Sequence, residues 1–146
     1  MFNFISKLEE GASARKQALE CRKEISQVYT EFCHSIGEFI GESVDIYERN
    51  EYEDDTRSFL SNTIGGASAF GARSKPTGYK LISIATKEKK KKTGTLFKTR
   101  EPDEGYPVHI LFEDNEYACF SQQELIGALE DIATNVSFHN ALEALK

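Results

Sequence analysis

Cysteine, histidine and long apolar runs are scarce in this sequence of 146 residues, and each scarcity excludes a class of protein. Three widely spaced cysteines, an odd number, do not make the disulfide framework of a small secreted domain. The cysteines and the three histidines form no Cys-x-x-Cys or His-x-x-x-His pair, so the sequence predicts no metal site and no cofactor. No apolar run approaches the roughly 20 residues that a membrane-spanning helix needs.

The N-terminus has little of what a targeting segment carries. Residues 1–8 are mostly apolar, but Glu9 and Glu10 follow at once, with no basic region before them and no small-residue cleavage site. We therefore expect no signal peptide, and a protein of the reducing cytoplasm.

The residues that are present suffice for a folded core. Apolar residues make up 39% of the chain, and ten Phe and six Tyr make aromatic content 11%, which disordered chains lack. A chain of this length buries roughly two thirds of its unfolded surface. The simplest expectation is a single domain over residues 1–146.

Helical periodicity marks the first forty residues. A stripe of apolar side chains at the 3.6-residue period predicts one long helix over about residues 5–40, formed by Ile25, Val28, Tyr29, Phe32, Ile36, Phe39 and Ile40. Leu8 and the stretch of Ala12, Ala14, Ala18 and Leu19 extend this stripe upstream. Gly11 weakens the helix interior, which makes a break near residues 10–13 an open alternative.

Residues 42–120 predict a mostly antiparallel sheet of about four to five strands. Val44 and Ile46 indicate a short strand, and an acidic turn is expected at residues 51–55 (EYEDD). Residues 65–78 are rich in Gly, Ala and Ser, which is typical of a loop.

Two hairpins are expected in the rest of the sheet. Residues 79–86 pair with residues 95–99, with a lysine run at the tip. Residues 106–113 pair with residues 116–120 through an Asp114-Asn115 turn. That register sets Phe112 opposite Tyr117, Ile110 opposite Cys119 and His109 opposite Phe120, and it places both strands inside the sheet.

Helix signals return at the C-terminus, over about residues 121–145. Ser121-Gln-Gln-Glu124 is a capping box before an amphipathic run, which we expect to end at Asn135. A short final helix follows, with Ser137 as a candidate cap. One long helix, then strands, then one or two helices predict an α+β fold with helices on one face of the sheet.

Charge is segregated along the chain. Residues 87–100 carry seven Lys/Arg against one Glu, residues 42–60 carry seven acids against two arginines, and residues 101–146 carry ten acids against Lys146 alone. The net charge of −6 disfavours nonspecific binding to nucleic acid or to an anionic membrane.

The acidic blocks favour a non-catalytic protein-binding module that captures a basic partner through charge complementarity. Small acidic inhibitors, such as toxin-neutralising immunity proteins or phage-encoded inhibitors, share this composition, although no motif links the chain to them. The candidate partner-binding residues are acids of expected turns and strand ends: Glu51, Glu53, Asp54, Asp55, Asp103, Glu104, Asp114 and Glu116.

Two alternatives remain open. The apolar stripe of the first helix predicts a homodimer or self-associating scaffold if it exceeds what one sheet covers. The basic hairpin at residues 87–100 instead predicts contact with a nucleic acid or a phosphate ligand. The anion-binding candidates are then Arg73, Lys75, Lys89, Lys90, Lys91 and Lys92.

No arrangement in the sequence predicts an enzyme. Cys33 and His34 are adjacent on a helix and point about 100° apart, while His109 and Cys119 fall on opposite faces of their hairpin. Gly66 and Gly71 have the spacing of a phosphate-binding loop, but Ala72-Arg73 stand where its Lys-Ser/Thr pair belongs. The acids lie in turns, without a buried carboxylate pair.

Overall fold

The computed structural model describes residues 2–53, 75–88 and 91–146, and its longest element is the helix α1 (Phe4–Ile40). The Asn3 side chain accepts a hydrogen bond from the Ser6 amide at the start of α1. The helix ends at Gly41, where a φ of 83° takes the backbone into the left-handed region that glycine tolerates. The helix is continuous through Gly11, so the alternative of a break near residues 10–13 is wrong.

Five strands follow α1 and form one antiparallel meander in sequence order. The strands are β1 (Val44–Tyr52), β2 (Pro76–Thr86), β3 (Phe97–Arg100), β4 (Val108–Phe112) and β5 (Asn115–Cys119). The meander confirms the expected antiparallel sheet, and β1 and β5 are its two edge strands.

The first two strands are longer than the sequence indicated. β1 continues to Tyr52, so Glu51 lies in a strand and not in an acidic turn. Pairing with β2 over most of its length explains this extension, because alternate residues of β1 bond their backbone groups to β2. β2 begins at Pro76, so the end of the expected loop 65–78 is also strand, while residues 65–74 lie outside the described residues.

The second hairpin has a different register from the expected one. Its turn is Glu113-Asp114, Phe112 lies opposite Asn115, Ile110 opposite Tyr117 and His109 opposite Ala118. Glu113 adopts a positive φ of 53°, as tight hairpin turns require, and its carboxylate accepts a hydrogen bond from the Ser137 hydroxyl. β5 is an edge strand, so the expectation that both strands lie inside the sheet is wrong for β5.

Two helices close the chain: α2 (Gln122–Ala133) and α3 (Val136–Leu142), followed by a 3₁₀ turn (Glu143–Leu145). The Ser121 half of the capping box is confirmed, since the Glu124 amide donates to the Ser121 hydroxyl at 3.2 Å. The Glu124 carboxylate accepts from the Phe120 amide at 3.4 Å and not from the Ser121 amide. The cap of α3 is Asn135 and not the expected Ser137, because the Asn135 side chain accepts a hydrogen bond from the Ser137 amide at 2.8 Å. None of the helices in the described ranges has the length and apolar character needed to span a bilayer.

The core lies between one face of the sheet and the helices, which confirms the predicted α+β fold. α1 contributes Ile25, Val28 and Ile36, each 6% exposed or less. The other buried side chains come from inward rows of the strands and from α2 and α3: Val44, Ile82, Ile84, Phe97, Val108, Ile110, Phe112, Leu125, Leu129, Ile132, Phe138 and Leu142.

Candidate functional site

A groove of about 800 Å³ lies between α1 and the edge strand β1. The α1 side runs from Arg22 to Gly41, and the β1 side runs from Val44 to Glu48. Ile82 of β2 also lines the groove, as does Glu101, the residue after β3. α1 contacts β1 and α2, and among the described residues no strand pairs with the outer edge of β1.

The groove is rich in carboxylates. Five acidic side chains line it against the two cations Arg22 and Lys87, and the acids are Glu38, Glu42, Asp45, Glu48 and Glu101. Two ion pairs offset part of this charge: Lys87 Nζ lies 3.5 Å from Asp45 Oδ1, and Lys80 Nζ lies 3.3 Å from Glu48 Oε2. Among the described lining residues, acids outnumber cations, so the groove favours a cationic ligand.

Two of these acids stand where inward rows of the sheet change from apolar to charged. Val44, Ile46 and Glu48 share one face of β1, because side chains alternate along a strand. Phe97 and Thr99 form the matching row of β3, and Glu101 continues it. One end of the helix-covered face is therefore polar. The sequence signals this by an acid at the end of each row, after Val44 and Ile46 in β1 and after Phe97 and Thr99 in β3.

The electrostatics of this polar end follow from desolvation. Desolvation raises the pKa of the Glu101 carboxyl, the nearby Glu48 raises it further, and Lys80 opposes the shift. Burial likewise raises the pKa of the Tyr29 hydroxyl, which shares a 3.3 Å hydrogen bond with the Thr99 hydroxyl. A cation bound here stabilises the ionised Glu101 carboxylate that the protein itself leaves undercompensated.

The Cys33 thiol shows which way the backbone of β1 faces. It donates a hydrogen bond to the Val44 carbonyl at 3.2 Å and also contacts the Ile46 backbone, so both residues direct polar groups away from β2. In an antiparallel ladder, alternate residues share this direction. The amide and carbonyl of Glu48 therefore also face the open edge. Desolvation raises the pKa of Cys33, which keeps the thiol protonated as a donor.

The acids that the sequence singled out do not assemble into one surface. In the sheet register, Asp114 and Glu116 belong to the β4–β5 hairpin at one edge, whereas Glu51 lies in β1 at the other. Glu53 follows β1, and Asp103 and Glu104 belong to the β3–β4 connection, where Asp103 Oδ1 lies 3.4 Å from Arg22 Nη2. Asp54 and Asp55 lie outside the described residues.

The basic residues of the alternative hypothesis make contacts within the protein. Lys87 pairs with Asp45, the Lys91 ammonium donates to the Lys146 carbonyl, and Lys92 Nζ lies 5.8 Å from the centre of the Tyr47 ring. Lys75 is exposed, next to the start of β2, while Arg73, Lys89 and Lys90 lie outside the described residues. These contacts distribute the described cations over several elements, and no shared anion cradle is visible among them.

The cysteine and histidine side chains occupy the faces expected for them. His109 and Cys119 lie on neighbouring rungs of the β4–β5 ladder, so they point to opposite sides of the sheet. Cys33 is half-buried, and the exposed His34 has its Nε2 3.1 Å from Glu38 Oε1. Among the described residues, no three His, Cys, Asp or Glu side chains converge as metal ligands would.

Comparison with known proteins identifies no relative. No family model matches the sequence, and no curated protein and no solved structure is significantly similar to it. Function is therefore inferred from the groove itself. Its five acids were not among the predicted partner-binding residues, although three of them belong to the acidic block at residues 42–60.

Glu51 is expected to contribute pH-dependent stability. Its carboxylate pairs with Lys98 and accepts a 2.9 Å hydrogen bond from the Thr77 hydroxyl, and the Lys98 contact holds its pKa below the usual range. The stabilisation is therefore full above the unfolded-state pKa of about 4.3 and is lost as pH falls through the lower folded-state pKa.

Replacing the carboxylate isolates this effect. Glu51→Gln should lower the free energy of unfolding by up to about 1 kcal/mol at neutral pH and should match the wild type at strongly acidic pH. Urea unfolding across the pH range measures both limits. Glu53→Gln is the matched control, and equal stabilities of Glu51→Gln and the wild type at neutral pH would refute the role of the pair.

Proposed function

We propose that the protein is a non-catalytic binding module that captures a basic, extended segment of another protein in the groove between α1 and β1. The observation that carries the proposal is the acid-rich groove beside the outward-facing backbone of an edge strand. An edge strand offers main-chain hydrogen bonds to a peptide of any sequence, and the side chains around it select the peptide.

The two ends of the groove have different parts in this mode of binding. Near Val44, the Cys33 thiol already occupies the outward carbonyl, so a partner strand has no free acceptor there. At Glu48, the outward amide and carbonyl are positioned to pair, with the Glu48 and Glu101 carboxylates nearby. A Lys or Arg of the partner meets these carboxylates, which makes binding specific for basic segments and sensitive to salt.

The acidic character of the chain fits an inhibitor better than other roles of a binding module. Occupying a basic surface of a partner blocks whatever anionic ligand that surface binds, and a net charge of −6 accelerates the encounter. The partner is basic, as the sequence indicated, but the binding residues are the acids of the groove and not the acids of the turns.

Two matched double variants test the location of the site. Glu48→Gln with Glu101→Gln removes two negative charges from the groove, and Asp114→Asn with Glu116→Gln removes two from the opposite edge of the sheet. Each is used with the wild type to capture proteins from a lysate of the native host at low salt. We expect a basic protein that the wild type and the second variant retain and the groove variant releases, with affinity for the purified partner reduced about tenfold or more.

Hydrogen exchange of the complex tests the mode of binding. Pairing along β1 should slow exchange of the outward Glu48 amide beyond its rate in the free protein, whereas the Ile46 amide, which already contacts the Cys33 thiol, should change little. If both double variants lose the partner equally, binding depends only on nonspecific charge attraction and not on the groove. A partner retained by the groove variant would disprove the groove as the site.

A further inference from the structure

The N-terminal part of α1, residues 4–20, forms a helical arm outside the main body. Every side chain from residue 2 to residue 17 is exposed. The helix meets the body at the next turn, where Cys21 contacts Gly105 and Arg22 pairs with Asp103. An arm of this length without tertiary support is marginal in water, because helices of about 12–15 residues rarely persist alone.

The arm carries large apolar side chains that face solvent. Phe4, Ile5 and Leu8 are 67%, 71% and 71% exposed, and Leu19 is 46% exposed. Ile5, Leu8, Ala12, Arg15 and Leu19 follow a spacing of three and four residues, which is the seam pattern of a coiled coil. Only Arg15 interrupts the apolar character of the seam.

This seam is not the stripe that packs in the core. Leu8 and Ile25 are separated by 17 positions in the numbering, which places them roughly 100° apart around a helix that turns about 100° per residue. The expectation that Leu8, Ala12 and Leu19 extend the core stripe is therefore wrong, whereas Ala14 and Ala18 lie in line with Ile25. The arm presents a second apolar face, which is separate from the core stripe. Another molecule can therefore cover it without rearrangement of the core.

We propose that a second copy of this chain covers the arm, forming an antiparallel two-helix homodimer. A membrane surface is the less suitable occupant, because the arm carries three basic and three acidic residues and the whole chain has a net charge of −6. Anionic bilayers attract helices whose polar face is rich in Lys and Arg. A second copy needs only surfaces that the arm itself supplies.

Charge complementarity selects the antiparallel direction. In a parallel, in-register pair, Arg15 meets Arg15 of the second copy in the seam, which is repulsive. In the antiparallel pair, Arg15 lies beside the small Ala12 of the second copy, and Leu8 packs against Leu19. The flanking positions then bring Glu9 of each copy beside Lys16 of the other, twice by the two-fold symmetry.

The arm dimer also leaves the body of each protomer accessible. Pairing of residues 5–22 places the two bodies at opposite ends of the helix pair. The groove between α1 and β1 begins at Arg22, so it lies at the junction of the arm and the body. The dimer therefore presents two accessible grooves. A variant that fails to dimerise can still bind a partner in its groove, so the two proposals are tested separately.

Sedimentation equilibrium of the full chain over a concentration series tests the dimer. We expect twice the chain mass in the wild type, and monomer after Leu8→Glu with Leu19→Glu, with the dissociation constant raised at least about 100-fold. Phe39→Ser, at a residue of α1 that is 64% exposed and outside the arm, is the matched control and should remain dimeric. Circular dichroism of the monomeric variant checks that the body stays folded.

Charge exchange tests the direction. Glu9→Lys and Lys16→Glu should each weaken the dimer about tenfold or more, and the double variant should restore it, because only the antiparallel pair makes this contact. A wild-type monomer at every concentration, or a dimer that survives the Leu8 and Leu19 changes, would overturn the proposal. So would cosedimentation of a monomeric wild type with neutral phospholipid vesicles, or single charge variants that dimerise as the wild type does.

Discussion

Ile25→Ala should lower the free energy of unfolding by about 2–5 kcal/mol, a large share of the stability of a chain of this size. Ile25 is 2% exposed and anchors α1 where the helix leaves its solvent-exposed arm and begins to cover the sheet. Truncation loses the transfer free energy of the removed methyl groups and leaves a cavity in a packed interior.

The same substitution earlier in the same helix provides the control. Ile5→Ala removes the same atoms from a side chain that is 71% exposed, so its effect should stay within about 0.5 kcal/mol. Urea unfolding at concentrations where the wild type is monomeric compares the two without a contribution from dimerisation. Equal losses for the two variants would contradict the placement of residue 25 in the core and residue 5 in solvent.

Predictions that depended on local rules were the accurate ones. The stripe from Ile25 to Ile40 predicted a helix and most of its inward face, since periodicity reports which residues share a side of a helix, although Phe39 is 64% exposed. The Ser121–Glu124 capping box placed the start of α2, because its hydrogen bonds lie within one turn of the helix. The order of elements then limited the fold to the α+β class.

Predictions that depended on tertiary contacts were less accurate. The register of the β4–β5 hairpin differs because Glu113, which the sequence placed in a strand, accepts a hydrogen bond from Ser137 and forms the turn. Gly11 does not break α1, because a single glycine costs about 1 kcal/mol in a helix that many other residues favour. The Ser137–Glu113 contact joins residues 24 positions apart, so no short-range pattern reports it.

The candidate site, too, was predictable from local patterns only in part. Counting charges indicated acidic surfaces but favoured acids in turns, which are plentiful wherever the chain meets solvent. Glu48 and Glu101 carry the better signal, since each extends a row of inward-facing residues and so places a carboxylate at the border of the core. That these two glutamates belong to one groove follows from the approach of α1 to β1, which no pattern within either segment reports.

Gly105→Ala should be nearly as destabilising as the core truncation, by about 2–4 kcal/mol. Gly105 has a φ of 98°, and a Cβ built on it lies 2.8 Å from the Cβ of Cys21, closer than two carbon atoms pack. Alanine therefore strains the backbone and pushes the β3–β4 connection away from α1. The connection also carries the Arg22–Asp103 pair and a 3.4 Å hydrogen bond between the Tyr106 hydroxyl and Glu24.

A double-mutant cycle separates the two costs. Cys21→Gly removes the atom that the new methyl group meets, so adding it to Gly105→Ala should recover the part of the loss caused by the clash and leave the backbone strain. Gly94→Ala, where a Cβ meets nothing within 4 Å, should change stability by less than about 0.5 kcal/mol. Because Glu101 belongs to the same connection, Gly105→Ala should also weaken partner binding in the groove more than its effect on folding alone accounts for. A fully stable Gly105→Ala protein with unchanged partner binding would mean that this connection does not hold α1 at the position that forms the groove.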